Sequence, residues 1–177
     1  MQKNYLVVSA LGEDRPGLVD GISQLIRDTG CSIGDSRMSV LGGDFAMILM
    51  IEGRWNELAK LESSLPAAGR RLGLDIQVRR TRPHEPAADF LPYSVEVVCV
   101  DHAGIVQQLG QFFSSREINI RDLTTTTYSA AHTRTPMFQL QMTIDVAASL
   151  HIARLREEFM DFCDQLNLDA IIEPLRH

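Results

Sequence analysis

Short apolar runs and longer amphipathic segments alternate along this chain, and the first half shows the pattern clearly. The apolar run 5–11 predicts a strand, and apolar residues at helical spacing follow it. Two further strand patterns, over about 33–41 and 45–52, flank Gly42, Gly43 and Asp44, a favourable hairpin turn. A second helix and a final strand complete the half. The apolar positions of the first helix are Leu18, Ile22, Leu25 and Ile26.

The second half repeats this order of elements. Strand patterns occupy 93–100, about 118–128 and about 137–145. A final strand follows the second helix. Apolar residues of its first helix are Ile105, Leu109, Phe112 and Phe113, and those of its second helix are Ile152, Leu155, Phe159, Phe162 and Leu166. In the first half, Pro66 and Gly69 predict an early break or a split in the corresponding second helix.

The two halves also align residue by residue, which indicates an internal duplication. When SALGEDRPGLVDGISQLIRDTGCSIGDS is laid on VVCVDHAGIVQQLGQFFSSREINIRDL, Asp14 falls on Asp101 and Gly17 on Gly104. The hairpin of the second half is longer, through the segment YSAAHTRTP.

The element order β-α-β-β-α-β, present twice, predicts an α+β protein of two ferredoxin-like units. Right-handed crossovers place both helices of a unit on one face of a four-stranded antiparallel sheet, with the first and third strands central. We expect domains at 1–81 and 92–177. The proline-containing segment 82–91 is expected to be an extended linker.

The charge of the chain limits the classes of function that are expected. The net charge is −6 and the pI about 5.3, whereas a nucleic-acid interface usually presents a basic stripe, so direct nucleic-acid binding is not expected. We interpret the one basic cluster as a solvated face at the start of the linker. It comprises Arg70, Arg71, Arg79, Arg80 and Arg82.

No apolar run is long enough for a membrane span, and no leader pattern precedes the first strand. Cys31, Cys99 and Cys163 lie far apart, which favours reduced thiols and a cytoplasmic location. The histidines are scattered as well, so we expect neither a metal nor a cofactor.

The loop Asp14–Gly17 lies between a strand and a helix, and Asp101–Gly104 repeats it. The first N–H groups of a helix lack internal partners and carry partial positive charge, so a carboxylate can bind there. Alternatively, Asp14 and Asp101 only cap their helices, and the glycines only ease the turn. His102 is interpreted in the same way, either as part of an anion site or as a solvated or capping residue.

Catalysis is not expected, because no GxSxG, P-loop or GxGxxG pattern occurs. Cys31 is the one thiol that we expect to be partly exposed. Asp28 and Asp35 lie nearby in the sequence and would raise its pKa if they were close in space, which disfavours a nucleophile.

The D-x-x-G-[LI]-V turn, the element order and the following G-C-S-I or E-I-N-I resemble ACT domains, which are small ligand-binding regulatory units often specific for amino acids. The first half is similar to a narrower family, the glycine cleavage system transcriptional repressors. That resemblance rests on the DRPG loop, the run GCSIGDSRMSVLGGDF and the ending WNELAKLESSLP. The second half matches through INIRDLTTTTY and FCDQLNL.

This resemblance implies a non-catalytic sensor of a small amino acid, with glycine favoured. Such a protein represses by contacting a DNA-binding activator of the glycine cleavage operon. The alternative is a tandem ACT subunit that regulates a metabolic enzyme. ACT domains bind ligands between the first loop and the start of the second strand, commonly across a domain interface. The implied residues are Asp14, Arg15, Pro16, Gly17, Leu18, Ser32 and Ile33, with Asp101, His102, Ala103, Gly104, Ile105, Asn119 and Ile120 in the second half.

One strand face differs between the halves. In the second half, Gln139, Gln141 and Thr143 alternate with apolar residues, which is typical of a sheet with one face in water. In the first half the outward positions are apolar, namely Tyr5, Val7, Ala46, Ile48 and Met50. A soluble monomer rarely exposes such a face. We expect the other domain, a second copy of the chain in a homodimer, or the regulated protein to cover it.

Overall fold

The computed structural model describes residues 4–83 and 89–175, which form two compact units divided between residues 85 and 86. The first unit has six elements in the predicted order. They are β1 (Asn4–Glu13), α1 (Leu18–Asp28), β2 (Ser32–Leu41), β3 (Asp44–Gly53), α2 (Trp55–Leu72) and β4 (Asp75–Thr81).

The second unit repeats this order. Its elements are β5 (Phe90–Val100), α3 (Ile105–Ser114), β6 (Asn119–Ser129), β7 (Pro136–Ala147), α4 (Ile152–Gln165) and β8 (Asp169–Pro174). The predicted linker spans 82–91, but its last two residues, Phe90 and Leu91, belong to strand β5. Residues 84–88 of that segment lie outside the described residues.

Each unit contains one four-stranded antiparallel sheet, with strand orders β2-β3-β1-β4 and β6-β7-β5-β8. The first and third strands are therefore central in both units, as predicted. The hairpin turn at Gly42 and Gly43 is also confirmed, because Leu41 pairs with Asp44 and Gly42 adopts a left-handed φ of 65°.

Alternation along the strands gives each unit its own core. In β3, Phe45, Leu49 and Ile51 are almost fully buried, whereas Ile48 between them is 49% exposed. The helices contribute Leu18, Ile22, Ile26, Leu58, Leu61 and Leu65 to the same core. The helices and the buried strand residues therefore occupy one face of the sheet, which matches the predicted fold.

The core of the second unit is richer in aromatic residues. Phe112, Phe113, Phe159 and Phe162 contact one another with ring centroids 4.9–5.3 Å apart. Cys163 is also fully buried on α4, so the buried stripe of this helix includes a residue outside the predicted set. The remaining predicted positions, Ile152, Phe162 and Leu166, pack against the core while partly buried.

The predicted break at Pro66 and Gly69 is wrong, because α2 runs without interruption for 18 residues from Trp55 to Leu72. Proline removes one backbone donor, but burial of Leu58, Leu61 and Leu65 along the same helix outweighs that local preference. Gly69 lies where α2 approaches β4, and a Cβ there would be 2.8 Å from the Leu74 carbonyl oxygen. The glycine therefore permits close packing of the helix on the strand.

Gly69→Ala is expected to destabilise the protein by about 1–3 kcal/mol, because the added methyl group meets backbone that must shift. Gly110→Ala in α3 is the matched control, since a Cβ there meets no atom within 4 Å. The control is expected to stabilise by about 0.5–1 kcal/mol through helix propensity alone. Urea denaturation of both variants measures the two effects, and a stabilising Gly69→Ala would contradict the close packing.

Candidate functional site

The loop between β1 and α1 brings its glycine to the start of the helix. Gly17 is the N-cap of α1 with φ 93°, a left-handed conformation that side chains disfavour. No side chain caps this helix, so the alternative in which Asp14 is a helix cap is wrong. Instead the Asp14 backbone N–H donates to the Gly43 carbonyl at 2.9 Å, which holds the loop beside the β2–β3 turn.

The second loop has the same geometry. Gly104 caps α3 with φ 97° and again no side-chain cap is present, so Asp101 is not a helix cap either. The Asp101 N–H donates to the Pro136 carbonyl at 2.9 Å, at the matching end of β7. A glycine cap without a side chain leaves the first-turn N–H groups of both helices open to a small anionic ligand.

The charges near the two helix starts differ. The first turn of α1 contains Asp20, whereas the first turn of α3 contains no acidic residue. A carboxylate in the first turn already interacts with the helix dipole and repels a second anion. With respect to first-turn carboxylates, the start of α3 is therefore the more favourable of the two for an anion.

Arg15 has a structural role that sequence reasoning missed. Its Nη2–H donates to the Leu72 carbonyl oxygen at 2.8 Å, at the last residue of α2. The last carbonyls of a helix lack internal partners and carry partial negative charge, so a guanidinium is well placed there. Gly12 supports the same contact, because a Cβ at Gly12 would lie 2.5 Å from the Gly73 carbonyl oxygen. The first loop is thus attached to the end of α2.

The side chain that matches Arg15 in the second loop makes a local contact instead. His102 Nδ1–H donates to the Val100 carbonyl at 3.0 Å, two residues earlier in the chain. His102 is exposed, which agrees with the predicted alternative of a solvated residue, but it does not cap the helix, since Gly104 occupies the cap position. Pro16 and Ala103 are exposed within their loops, and Leu18 and Ile105 are buried under them as the first helical residues.

The register of the sheets separates the predicted ligand residues into two groups. Glu13 pairs with Asp44 at one end of β3, whereas Ser32 pairs with Glu52 at the other end. At about 3.4 Å per residue, the loop and the strand start are roughly 25–30 Å apart within one unit. Val100 and Asn119 are separated in the same way by β7. No single unit brings its loop and its Ser32–Ile33 or Asn119–Ile120 pair together.

A β-bulge follows each predicted strand start. The pairing of β2 with β3 shifts between Ile33 and Ser36, and the pairing of β6 with β7 shifts between Ile120 and Asp122. Bulges are common beside binding sites, where they redirect a side chain. In the second unit the bulge residue Arg121 forms an ion pair with Asp145, which is only 8% exposed. Neither the bulge nor this pair had a clear signal in the sequence.

The thiols are unsuited to nucleophilic catalysis. Cys31 is buried, contrary to the expected partial exposure, and burial is the main cause that raises its pKa. A smaller rise comes from Glu57 rather than from Asp28 or Asp35. Burial also raises the pKa of Cys99, and that of Cys163 to about 12. Across residues 4–83 and 89–175, no group of three histidine, cysteine or acidic side chains is placed to bind a metal.

The outward face of the first sheet is apolar at its centre. Val7 pairs with Met50 and Ser9 with Ile48, and these residues point away from the core. Tyr5, Val7, Ala46 and Met50 are partly buried there. In the second unit the matching pairs are Ser94 with Thr143 and Glu96 with Gln141. Of the helices in the described ranges, none is long and apolar enough to cross a membrane.

Comparison with known proteins identifies the class. The ACT domain family model matches residues 4–79. The glycine cleavage system transcriptional repressor of Escherichia coli (strain K12) is 34% identical over 99% of this chain and 92% of its own. A solved structure assigned to the same repressors covers 100% of both chains, with 27% identity and a TM-score of 0.74. An unknown protein from Galdieria sulphuraria gives a TM-score of 0.82 at 26% identity, covering 99% of this chain and 100% of its own.

Two βαββαβ units with glycine-capped loops define a tandem ACT-domain protein. Similarity over nearly the whole length then gives the particular family. The chain belongs to the glycine cleavage system transcriptional repressor family. This membership supports a regulatory role that involves sensing an amino acid.

Arg15→Ala is expected to lower the free energy of unfolding by about 1 kcal/mol, because the Leu72 carbonyl loses its partner. His102→Ala serves as the control and is expected to change it by less than about 0.5 kcal/mol, since its hydrogen bond joins residues only two positions apart. Urea denaturation of both variants tests the attachment. Equal stability of the two variants would show that Arg15 does not hold the first loop.

Proposed function

We propose that this chain is a non-catalytic, glycine-responsive repressor that contacts the DNA-binding activator of the glycine cleavage operon. The observation that carries the proposal is the similarity to the Escherichia coli repressor over 99% of the chain. The buried thiols agree with a protein that performs no catalysis. Action on transcription would place the protein in the cytoplasm.

The ligand would be a small amino acid whose carboxylate binds a helix start. The open N–H groups after Gly17 and Gly104 support this assignment, because they supply donors and partial positive charge. The remaining members of the proposed site are the loop residues on either side and the strand starts at Ser32–Ile33 and Asn119–Ile120.

Because the loop and the strand start lie at opposite ends of a unit, a ligand that contacts both would bridge two copies of the chain. The loop of one would face the strand start of the other. A homodimer would achieve this arrangement.

The protein partner would bind the apolar outward face of the first sheet, formed by Tyr5, Val7, Ala46, Ile48 and Met50. The flexible side chain of Met50 suits an adaptable contact. An acidic chain with net charge −6 agrees with repression through a protein rather than through direct DNA binding.

Capture of the tagged full-length chain from a native extract tests the partner. Recovery of a DNA-binding activator supports the proposal, whereas recovery of a metabolic enzyme supports the alternative of a regulatory subunit.

Ser32→Arg or Asn119→Arg is expected to weaken glycine binding about tenfold or more, because a long side chain at an exposed strand start would obstruct the site. Ser39→Arg makes the same change further along the exposed strand β2 and is expected to leave binding unchanged. Isothermal titration calorimetry of the three variants measures the effect. If all three variants bind glycine as tightly as the unsubstituted chain does, the strand starts are not part of the site.

Ile48→Glu is expected to preserve the fold and to change assembly or repression, since this side chain is 49% exposed on the outward face. Gln141→Glu introduces the same carboxylate at the matching position of the second sheet and is the control. Sedimentation velocity and an operon reporter in cells provide the readouts. Unfolding by Ile48→Glu would place the residue in a core, and an unchanged assembly and reporter would show that the face is not used.

A further inference from the structure

Strand β4 is the edge of the first sheet and pairs only with β1 among the described strands. In an antiparallel ladder, alternate residues of an edge strand direct their N–H and C=O groups away from the sheet. Strand β4 therefore presents unpaired backbone donors and acceptors along Asp75–Thr81. Such an edge can accept another strand.

Positive charge concentrates along this edge. Between residues 66 and 83 the chain has five arginines and a single carboxylate, Asp75, although the whole protein has a net charge of −6. All five arginines are exposed. Arg80 pairs with Glu62 at 2.9 Å, which leaves Arg79 and Arg82 as the cations on the strand and just beyond it.

A groove of about 480 Å³ lies beside the same strand. It is formed by the C-terminal half of α2 and by β4, with Pro66, Gly69, Arg70 and Ile76 in its lining. Because Gly69 has no side chain, α2 does not fill the groove at this position. A side chain from a strand added next to β4 would have space here.

We propose that an acidic, extended segment of a protein partner adds to β4 as a fifth strand. Side chains on one face of that segment would enter the groove near Arg70, and those on the other face would lie beside Arg79. The period of two along a strand fits this arrangement. This surface adjoins the outward apolar face, since Arg79 pairs with Val7 across β4 and β1.

Charge and hydrogen bonding favour an acidic peptide strand over a second copy of β4 and over nucleic acid. A second β4 would bring two segments of net positive charge together, since residues 75–82 contain three arginines and one aspartate, and like charges on neighbouring strands repel. Nucleic acid would neutralise the arginines, but its phosphates only accept hydrogen bonds. An edge strand offers both N–H and C=O groups, and another peptide backbone satisfies both.

The second unit also has an edge strand beside a groove, but without the arginines. Its edge strand β8 carries Asp169 and Glu173 instead of arginines. The groove beside β8 has Arg156 and Met160 from α4 in its lining and is smaller, at about 370 Å³. The duplicated fold therefore supplies a matched control within the same protein.

The full-length chain is titrated into a fluorescein-labelled, acetylated (Glu-Val)₄ amide, and binding is followed by anisotropy. Arg79→Glu/Arg82→Glu is expected to weaken binding about tenfold or more, because two attractive charge pairs become repulsive. Arg156→Glu is expected to leave it unchanged. Hydrogen exchange of the β4 amides is expected to slow when the peptide is bound, which reports strand addition directly. These readouts do not depend on glycine or on the activator, so failure here leaves the proposed function standing.

Three results would overturn the proposal. The first is equal binding of the same peptide with every backbone amide N-methylated, because charge alone would then explain the interaction. The second is tighter binding of a single-stranded DNA oligonucleotide than of the peptide, with the DNA binding lost in the double variant. The third is a self-association, detected by sedimentation, that the double variant abolishes while the peptide fails to bind.

Discussion

The antiparallel pairing of the first and third strands positions the other elements of each unit. The ladder between β1 and β3 runs without a shift from Asn4–Gly53 to Glu13–Asp44. Its register turns Leu6, Val8 and Ala10 to the helices and leaves the intervening residues outside. It also fixes which loops share an end of the sheet. The separation of the two parts of the proposed ligand site follows directly from this register.

The duplicated units keep that ladder and differ in what is attached to it. In the first unit, the Arg15 side chain connects the loop between β1 and α1 to the end of α2, whereas the matching His102 side chain of the second unit bonds only to the nearby Val100 carbonyl. In the second unit, Arg121 and Asp145 form an ion pair at the strand start, where the first unit has Gly34 and Glu52. The two copies therefore present different electrostatic surroundings to a ligand, although their backbones match.

The surfaces diverge in the same way. The first unit exposes an apolar sheet face and an arginine-rich edge, while the second has a polar face and acidic residues on its edge strand. Such differences cost the fold little, because outward side chains do not pack in a core. A duplicated regulatory protein can thus assign ligand binding and partner binding to different faces without changing its architecture.

The duplication, the order of elements, the central strands and the hairpin at Gly42–Gly43 could all be predicted from the sequence, because hydrophobic period and turn chemistry are local signals. Local signals failed at Pro66 and Gly69, where burial of the leucines on α2 outweighs helix-breaking preference. They failed again at Asp14 and Asp101, where a left-handed glycine rather than a side chain begins the helix. The contact of Arg15 with the Leu72 carbonyl and the distance of Ser32 from its own loop could not be predicted in this way. Both depend on residues that are distant in sequence and are positioned by the packing of the helices and the register of the sheet.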